Sequence, residues 1–209
     1  APQARRYYYN IVGKYGAQVQ ALLKKASALE IETICPLHGP VLTGGALAEA
    51  LRLYDLWSRW QSEAPEEILL AHASIHGNTA RAAELFKQKL EAAGARITLC
   101  DLTATEVSYA VASAFYCGKL VLACSTYDGG LFPPMEEFLD HLRAKGFRGR
   151  TVGLMENGSW APVSARLMRA KLEEMKDLRV CNNVVTLRSA LSPANEGQMD
   201  ALIAELCAE

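Results

Sequence analysis

An α/β fold with a doubly wound, five-stranded parallel sheet and helices on both faces is the architecture this sequence predicts, preceded by a short helix-strand-helix unit. Three observations predict it. From Glu66 onward, short β-branched or apolar runs alternate five times with longer segments of helical periodicity, and that alternation means parallel strands joined by right-handed crossovers. Strand candidates such as Leu120-Val121-Leu122-Ala123-Cys124 are apolar without interruption, as strands covered on both faces are. With 209 residues, half of them hydrophobic and 22% charged, the chain is long enough for one domain of ordinary size and a smaller unit.

The smaller unit comes first. Residues 5–28 read as a helix, 31–35 as a strand, His38-Gly39-Pro40 as a turn and 46–60 as a second helix. One strand between two helices cannot make its own sheet, so residues 1–62 are expected to complete a sheet supplied from elsewhere. Ala64-Pro65 marks residues 63–66 as a linker, and residues 67–209 form the main domain. There, 68–74 is the first strand and 79–93 its helix, with Ala82, Leu85, Phe86 and Leu90 on one face. Residues 96–102 form the second strand, 106–114 a short helix and 119–126 the third strand. The helix at 133–144 carries Pro133 in its first turn, where a missing N–H does no harm. The fourth strand is 151–156, its helix 163–175, the fifth strand 180–187 and the closing helix 195–207.

Composition narrows the partners. The 22 basic and 23 acidic residues are interspersed and leave a net charge of -1, so no nucleic acid and no anionic membrane is expected as a partner. The longest apolar runs, 68–73 and 120–124, are far shorter than the ~20 residues that span a bilayer, and no signal peptide opens the chain. Cys35, Cys100, Cys117, Cys124, Cys181 and Cys207 contain no C-x-x-C pair, which fits reduced thiols in a cytoplasmic protein. Ala1, not Met, opens a helical pattern, so a longer parent chain is expected. Arg143, Lys145, Arg148 and Arg150 read as a solvated basic face, and His72 and His141 as structural or solvent-facing residues.

The chemistry concentrates in loops. Ser74-Ile75-His76-Gly77-Asn78-Thr79 joins the first strand to its helix, and a loop of small, hydroxylated residues opening a helix aims backbone N–H groups and the positive end of the dipole at one spot. No Arg or Lys stands in it, so a phosphate would be held by neutral dipoles. It lacks the G-K-[ST] ending and the G-x-G-x-x-G spacing, which argues against ATP and dinucleotides. The alternative is an ordinary connection capped by Asn or Thr.

Ligands of a doubly wound sheet bind beyond the carboxyl ends of its strands, where the winding reverses. The loops converging there after strands three and four are Ser125-Thr126-Tyr127-Asp128-Gly129-Gly130 and Asn157-Gly158-Ser159-Trp160. Each sets an aromatic ring beside glycines and polar groups, which suits a flat heteroaromatic ligand. Taken singly, Trp160 reads equally well as a half-buried loop aromatic and Asp128-Gly129 as a plain turn. Three loops of complementary chemistry at the three positions the fold requires point to a ligand.

These residues resemble the flavodoxin-type domain of the flavodiiron proteins, or A-type flavoproteins. The resemblance is carried by S-I-H-G-N-T at 74–79, S-T-Y-D-G-G-L-F-P-P at 125–134 and E-N-G-S-W-A-P at 156–162, of which the G-L-F-P-P continuation is the more particular. Upstream, R-R-Y-Y-Y-N-I-V-G-K-Y-G at 5–16 and I-C-P-L-H-G-P-V at 34–41 resemble the last stretch of the family's metallo-β-lactamase-like domain. The resemblance implies a flavodoxin-like sheet of strand order 2-1-3-4-5 and FMN held by the three loops, at Ser74–Thr79, at Ser125–Gly130 and at Asn157–Trp160, with His76 contributing through its backbone and no catalytic residue in this chain. Gly129 and Gly130 would let a peptide carbonyl turn toward flavin N5 when that atom is protonated.

For the intact parent the resemblance implies a diiron centre with His38 among its ligands, a rubredoxin-like or similar donor, reduction of O2 to water or of NO to nitrous oxide, and a homodimer. The H-x-E-x-D-H motif and the other iron ligands are absent from this chain, and one imidazole cannot hold two irons. Rival readings are a stand-alone flavodoxin-like electron carrier and a binding module that takes no flavin. A flavin reductase using NAD(P)H is disfavoured, since no second nucleotide fingerprint is visible.

Overall fold

The computed structural model describes residues 1–208. The chain opens with α1 (Pro2–Tyr7), a π-helical turn (Tyr8–Val12), a 3-10 turn (Gly13–Tyr15) and α2 (Gly16–Ala26). The single helix expected over 5–28 is therefore interrupted, and the wider π turn carries Tyr8 and Tyr9, both fully buried. β1 (Thr33–Ile34) pairs antiparallel with β2 (Leu42–Thr43). The strand expected over 31–35 thus shrinks to two residues and finds its partner within the unit, across a turn in which Gly39 has φ +116°. α3 (Gly44–Ser58) packs on α2, and at Gly16 a Cβ would come within 2.2 Å of the Ser58 carbonyl.

The main sheet is built from β3 (Ala64–Ala73), β4 (Arg96–Asp101), β5 (Cys117–Tyr127), β7 (Thr151–Asn157) and β8 (Arg179–Leu187), all parallel, with the short β6 (Gly130–Leu131) antiparallel to β5. Its order, β4-β3-β5-β7-β8, is the expected 2-1-3-4-5. Between the strands run α4 (Asn78–Ala92), α5 (Val107–Tyr116), α6 (Pro133–Ala144) and α7 (Ser164–Glu173), and α8 (Pro193–Cys207) closes the chain. Alternate side chains of β3 feed two cores. Leu69, Ala71 and Ala73 face α5, α6, α7 and the N-terminal unit, while Ile68 and Leu70 face α4 and α8.

β3 begins at Ala64, inside the residues read as a linker. Pro65 sits where the register of β3 against β5 shifts, a place where its missing N–H is tolerated. Its carbonyl comes so near Gly118 that a Cβ there would lie 2.0 Å away. α8 starts at Pro193, two residues before the expected start, behind a capping box of Ser192 and Asn195.

The N-terminal unit shares the first core with the sheet. Tyr9 stacks on Phe115 with ring centroids 3.9 Å apart, and Tyr8 packs on Trp57. Burial pushes the Tyr8 phenol up to about 12 and that of Tyr9 higher, so both are neutral. Arg150 is buried at 6% exposure and donates to the carbonyls of Cys117 (2.9 Å), Phe115 (3.1 Å) and Trp60 (2.9 Å). The reading of Arg143, Lys145, Arg148 and Arg150 as one solvated face is thereby corrected: Arg150 staples three chain segments, Arg148 lies 3.8 Å over the Trp60 ring, and Arg143 pairs with Glu174 at the surface.

All six cysteines are free; Cys100, Cys117, Cys124 and Cys181 are buried, Cys35 and Cys207 exposed. Burial pushes the Cys117 and Cys124 thiols up to about 12, which leaves them unreactive. His72 is buried in β3 and burial lowers its pKa, so it is a neutral core residue; His141 lies 4.0 Å from Glu137 on α6. Among the described residues, no helix is long and apolar enough to cross a membrane.

Candidate functional site

β3 hands the chain to α4 at the carboxyl edge of the sheet, and Gly77 makes the turn at φ +86°, a left-handed conformation suited to glycine. Ser74 Oγ accepts from the Gly77 N–H at 3.1 Å. No side chain caps α4, and no atom lies within 4 Å of where a Gly77 Cβ would stand. The Asn- or Thr-capped connection weighed as an alternative is therefore not what forms. The first-turn N–H groups lack intrahelical acceptors, which makes a helix start of this kind receptive to an anion.

Hydrogen bonds between side chains join this loop to its neighbours. Thr79 Oγ1 and Ser125 Oγ are 2.8 Å apart, and Asn157 Nδ2 donates to Thr79 Oγ1 at 3.2 Å. Thr126 Oγ1 accepts from the Val163 N–H at 3.0 Å, fastening the loop after β7 to the end of β5. Glu156, between them, is engaged with the Ala165 N–H at 3.0 Å and the Thr186 hydroxyl at 2.9 Å. The result is a cleft of about 190 Å³ lined by Ser74, Ile75, His76, Asn78, Thr79, Ser125, Thr126, Asn157, Gly158 and Ser159, with no Lys or Arg in its lining. Neutral donors at a helix N-terminus favour an anionic group.

The other expected residues form the loop tips beside it. Tyr127 and Gly130 pair between β5 and β6, and Asp128 (φ +48°) with Gly129 (φ +69°) makes the two-residue turn, the primed type that matches strand twist. Asp128-Gly129 is thus a tight hairpin turn. Left-handed freedom resides at Gly129, whereas Gly130 lies in a strand. Tyr127 follows a lining hydroxyl and is 50% exposed; Trp160 follows another and is 92% exposed. Neither ring is among the cleft's lining residues; each stands one residue beyond one of them as an exposed aromatic, the kind of surface on which a flat group can stack.

One lining residue escaped the sequence reading. Ser189, in the loop after β8, lines the same cleft and binds Asn157 through both backbone groups, N–H to Oδ1 at 3.0 Å and C=O from Nδ2 at 2.9 Å. The available signal was its place at the carboxyl end of the strand beside the fourth.

His38 stands apart from this cleft's lining. It is exposed in the N-terminal unit with its ring 5.7 Å from that of Tyr7. Among the described residues no group of three or more His, Cys, Asp or Glu could hold a metal ion, so the residues present do not fit a diiron centre.

No family model matches the chain. A putative diflavin flavoprotein of Synechocystis is 25% identical over 174 residues, and the match covers 81% of this chain but 28% of the relative. The type A flavoprotein of Rhodobacter capsulatus is 22% identical over 81% of this chain and 40% of its own length. The chain therefore spans well under half the length of these relatives. Among solved structures, the rubredoxin oxygen:oxidoreductase of Desulfovibrio gigas superposes with a TM-score of 0.89 at 18% identity, over 97% of this chain and 50% of that one. The flavodiiron protein of Giardia intestinalis gives 0.85 at 21% identity, over 96% of this chain and 50% of the other. A flavodoxin from the Archaea matches 67% of this chain and 95% of its own, with a TM-score of 0.58 at 18% identity. The fold is flavodoxin-like, and the flavodiiron structures share the N-terminal unit as well.

Proposed function

We propose that this chain, a relative of the A-type flavoproteins, is the FMN-binding electron-transfer part of a flavodiiron-type oxidoreductase. The observation that carries the reading is a hydroxyl-lined cleft without Lys or Arg at an uncapped helix N-terminus, with two exposed aromatic rings on the adjoining loop tips. Ser74, Asn78, Thr79 and the first-turn amides of α4 would hold the phosphate. Ser125 and Thr126 would meet the polyol chain, and Tyr127 and Trp160 the ring. FMN would supply reversible one- and two-electron transfer. The protein's part would be to place the ring, cover it from water with Tyr127 and Trp160, and offer at Gly129 a peptide able to turn.

In the longer parent, residues 1–62 would close a metallo-β-lactamase-like domain and residues 67–209 carry the flavin, with His38 serving a diiron centre whose other ligands lie outside this chain. That parent would be a cytoplasmic homodimer, accept electrons from a rubredoxin-like donor and reduce O2 or NO. By itself the chain would act as a carrier without turnover.

The test is the visible spectrum of the purified chain with added FMN, after desalting, followed by dithionite titration under nitrogen. Retained flavin bands that bleach on reduction are expected. A chain that stays colourless with FMN in excess would refute the reading.

A further inference from the structure

Ser189 has φ +65°, in the left-handed region where residues other than glycine are uncommon and strained. Three other such residues occur among the described ones: Trp60, Asp128 and Asp177. None of these lines the cleft, and Asp128 is accounted for by its hairpin. Conformations of this kind persist where the surroundings over-determine them, and they gather at functional sites.

Here the surroundings are Asn157. Its amide grips Ser189 at both the N–H (3.0 Å) and the C=O (2.9 Å), and the same Nδ2 reaches Thr79 Oγ1 at 3.2 Å. One side-chain nitrogen thus spans from Ser189 to the first turn of α4, so the loop after β8 stands at the anion-holding end of the cleft. The Ser189 hydroxyl lies 2.7 Å from that of Ser159. Two hydroxyls carry two donors between them, and their mutual bond uses one. Ser189 and Ser159 are both exposed within the cleft lining, which leaves the second proton free to be donated to a bound group.

We infer that Ser189 is a specificity residue for a phosphate monoester: with Ser159 it adds a hydroxyl donor, from a fourth loop, to the donors of Ser74, Asn78 and the α4 amides. The inference rests on the FMN reading and deepens it by assigning the phosphate a partner outside the three expected loops. In a lining without Lys or Arg, each neutral donor to a dianion counts for more of the affinity.

Binding of FMN and of riboflavin to the wild-type chain, Ser189→Gly and Ser189→Ala, followed by flavin fluorescence, tests this. Both variants should weaken FMN roughly 10- to 100-fold, the loss expected for a hydrogen bond to a charged group, and leave riboflavin unchanged. The phosphorus NMR resonance of bound FMN should move in both. Ser189→Gly should also raise the thermal midpoint, because glycine accepts the left-handed backbone, whereas Ser189→Ala should not. Unchanged FMN affinity or an unmoved resonance in Ser189→Gly would reduce Ser189 to a turn residue and overturn the inference. Equal losses for FMN and riboflavin would overturn it too, by assigning the hydroxyl to the polyol chain. A wild-type chain that takes up no FMN is a separate failure, seen before any variant is made, and overturns the underlying reading and this inference together.

Discussion

Asn157 holds the cleft together more than any other single residue. Its amide bonds to Thr79 and, twice, to Ser189, so three loops depend on one planar group of fixed donor and acceptor ends. Asn157→Asp keeps the shape but removes both donors, sets a carboxylate oxygen against the Ser189 carbonyl and adds a negative charge to an anion site. The expected cost is about 1–3 kcal/mol of stability, the penalty for stranding buried polar groups, with FMN binding weakened at least about tenfold. Urea denaturation and flavin titration measure the two, and a variant matching wild type in both would show that the amide frames nothing. The sequence pointed to Asn157 through its motif, as a ligand contact. Its grip on Ser189 was not legible, because it depends on a residue 32 positions away held in a backbone conformation that serine does not announce. Arg150 was misread for a similar reason. Its partners are backbone carbonyls at the ends of helices and strands that only the fold assembles.

Among the elements, strand and helix identities in the sheet domain were legible because uninterrupted apolar runs and 3.6-residue periodicity are strong signals. Boundaries were not. Pro65 read as punctuation, yet it occupies the irregular start of β3, and just before it Glu63 ties that strand to the N-terminal helices. Arg5 Nη2 meets Glu63 Oε2 at 3.0 Å, and Trp57 Nε1 donates to Oε1 at 2.7 Å. Burial raises the Glu63 pKa, but the bonds from Arg5 and Trp57 outweigh it and leave the carboxyl below its ordinary value of 4.5. A depressed folded-state pKa stabilises above the unfolded-state value, and this stabilisation is lost as pH falls through the folded one. Glu63→Gln should therefore cost about 1–3 kcal/mol at neutral pH, and the gap to wild type should close as pH drops below about 4.5. Urea midpoints across that range check the sign; a gap that widens in acid would refute the assignment.

At the scale of the whole molecule, the two units are joined by a common core containing Tyr8, Tyr9, Trp57, Phe115 and Phe147, with Arg150 and Glu63 at its edge. Neither side can expose its half of that surface cheaply. The described chain should therefore unfold in one cooperative step, with far-UV circular dichroism and tryptophan fluorescence giving coincident transitions; two separated transitions would mean that the units are only tethered. The tryptophans offer something more. Trp57 is 1% exposed among tyrosines, Trp60 is half-covered beneath a guanidinium, and Trp160 stands in solvent at 92% exposure. Indole emission shifts to longer wavelength in polar surroundings, so the protein carries a two-colour gauge of its own. A flat molecule settling on Trp160 would dim the red edge of the spectrum, whereas separation of the two units would draw the blue edge toward it. One unlabelled emission scan can therefore report occupancy and integrity as independent signals.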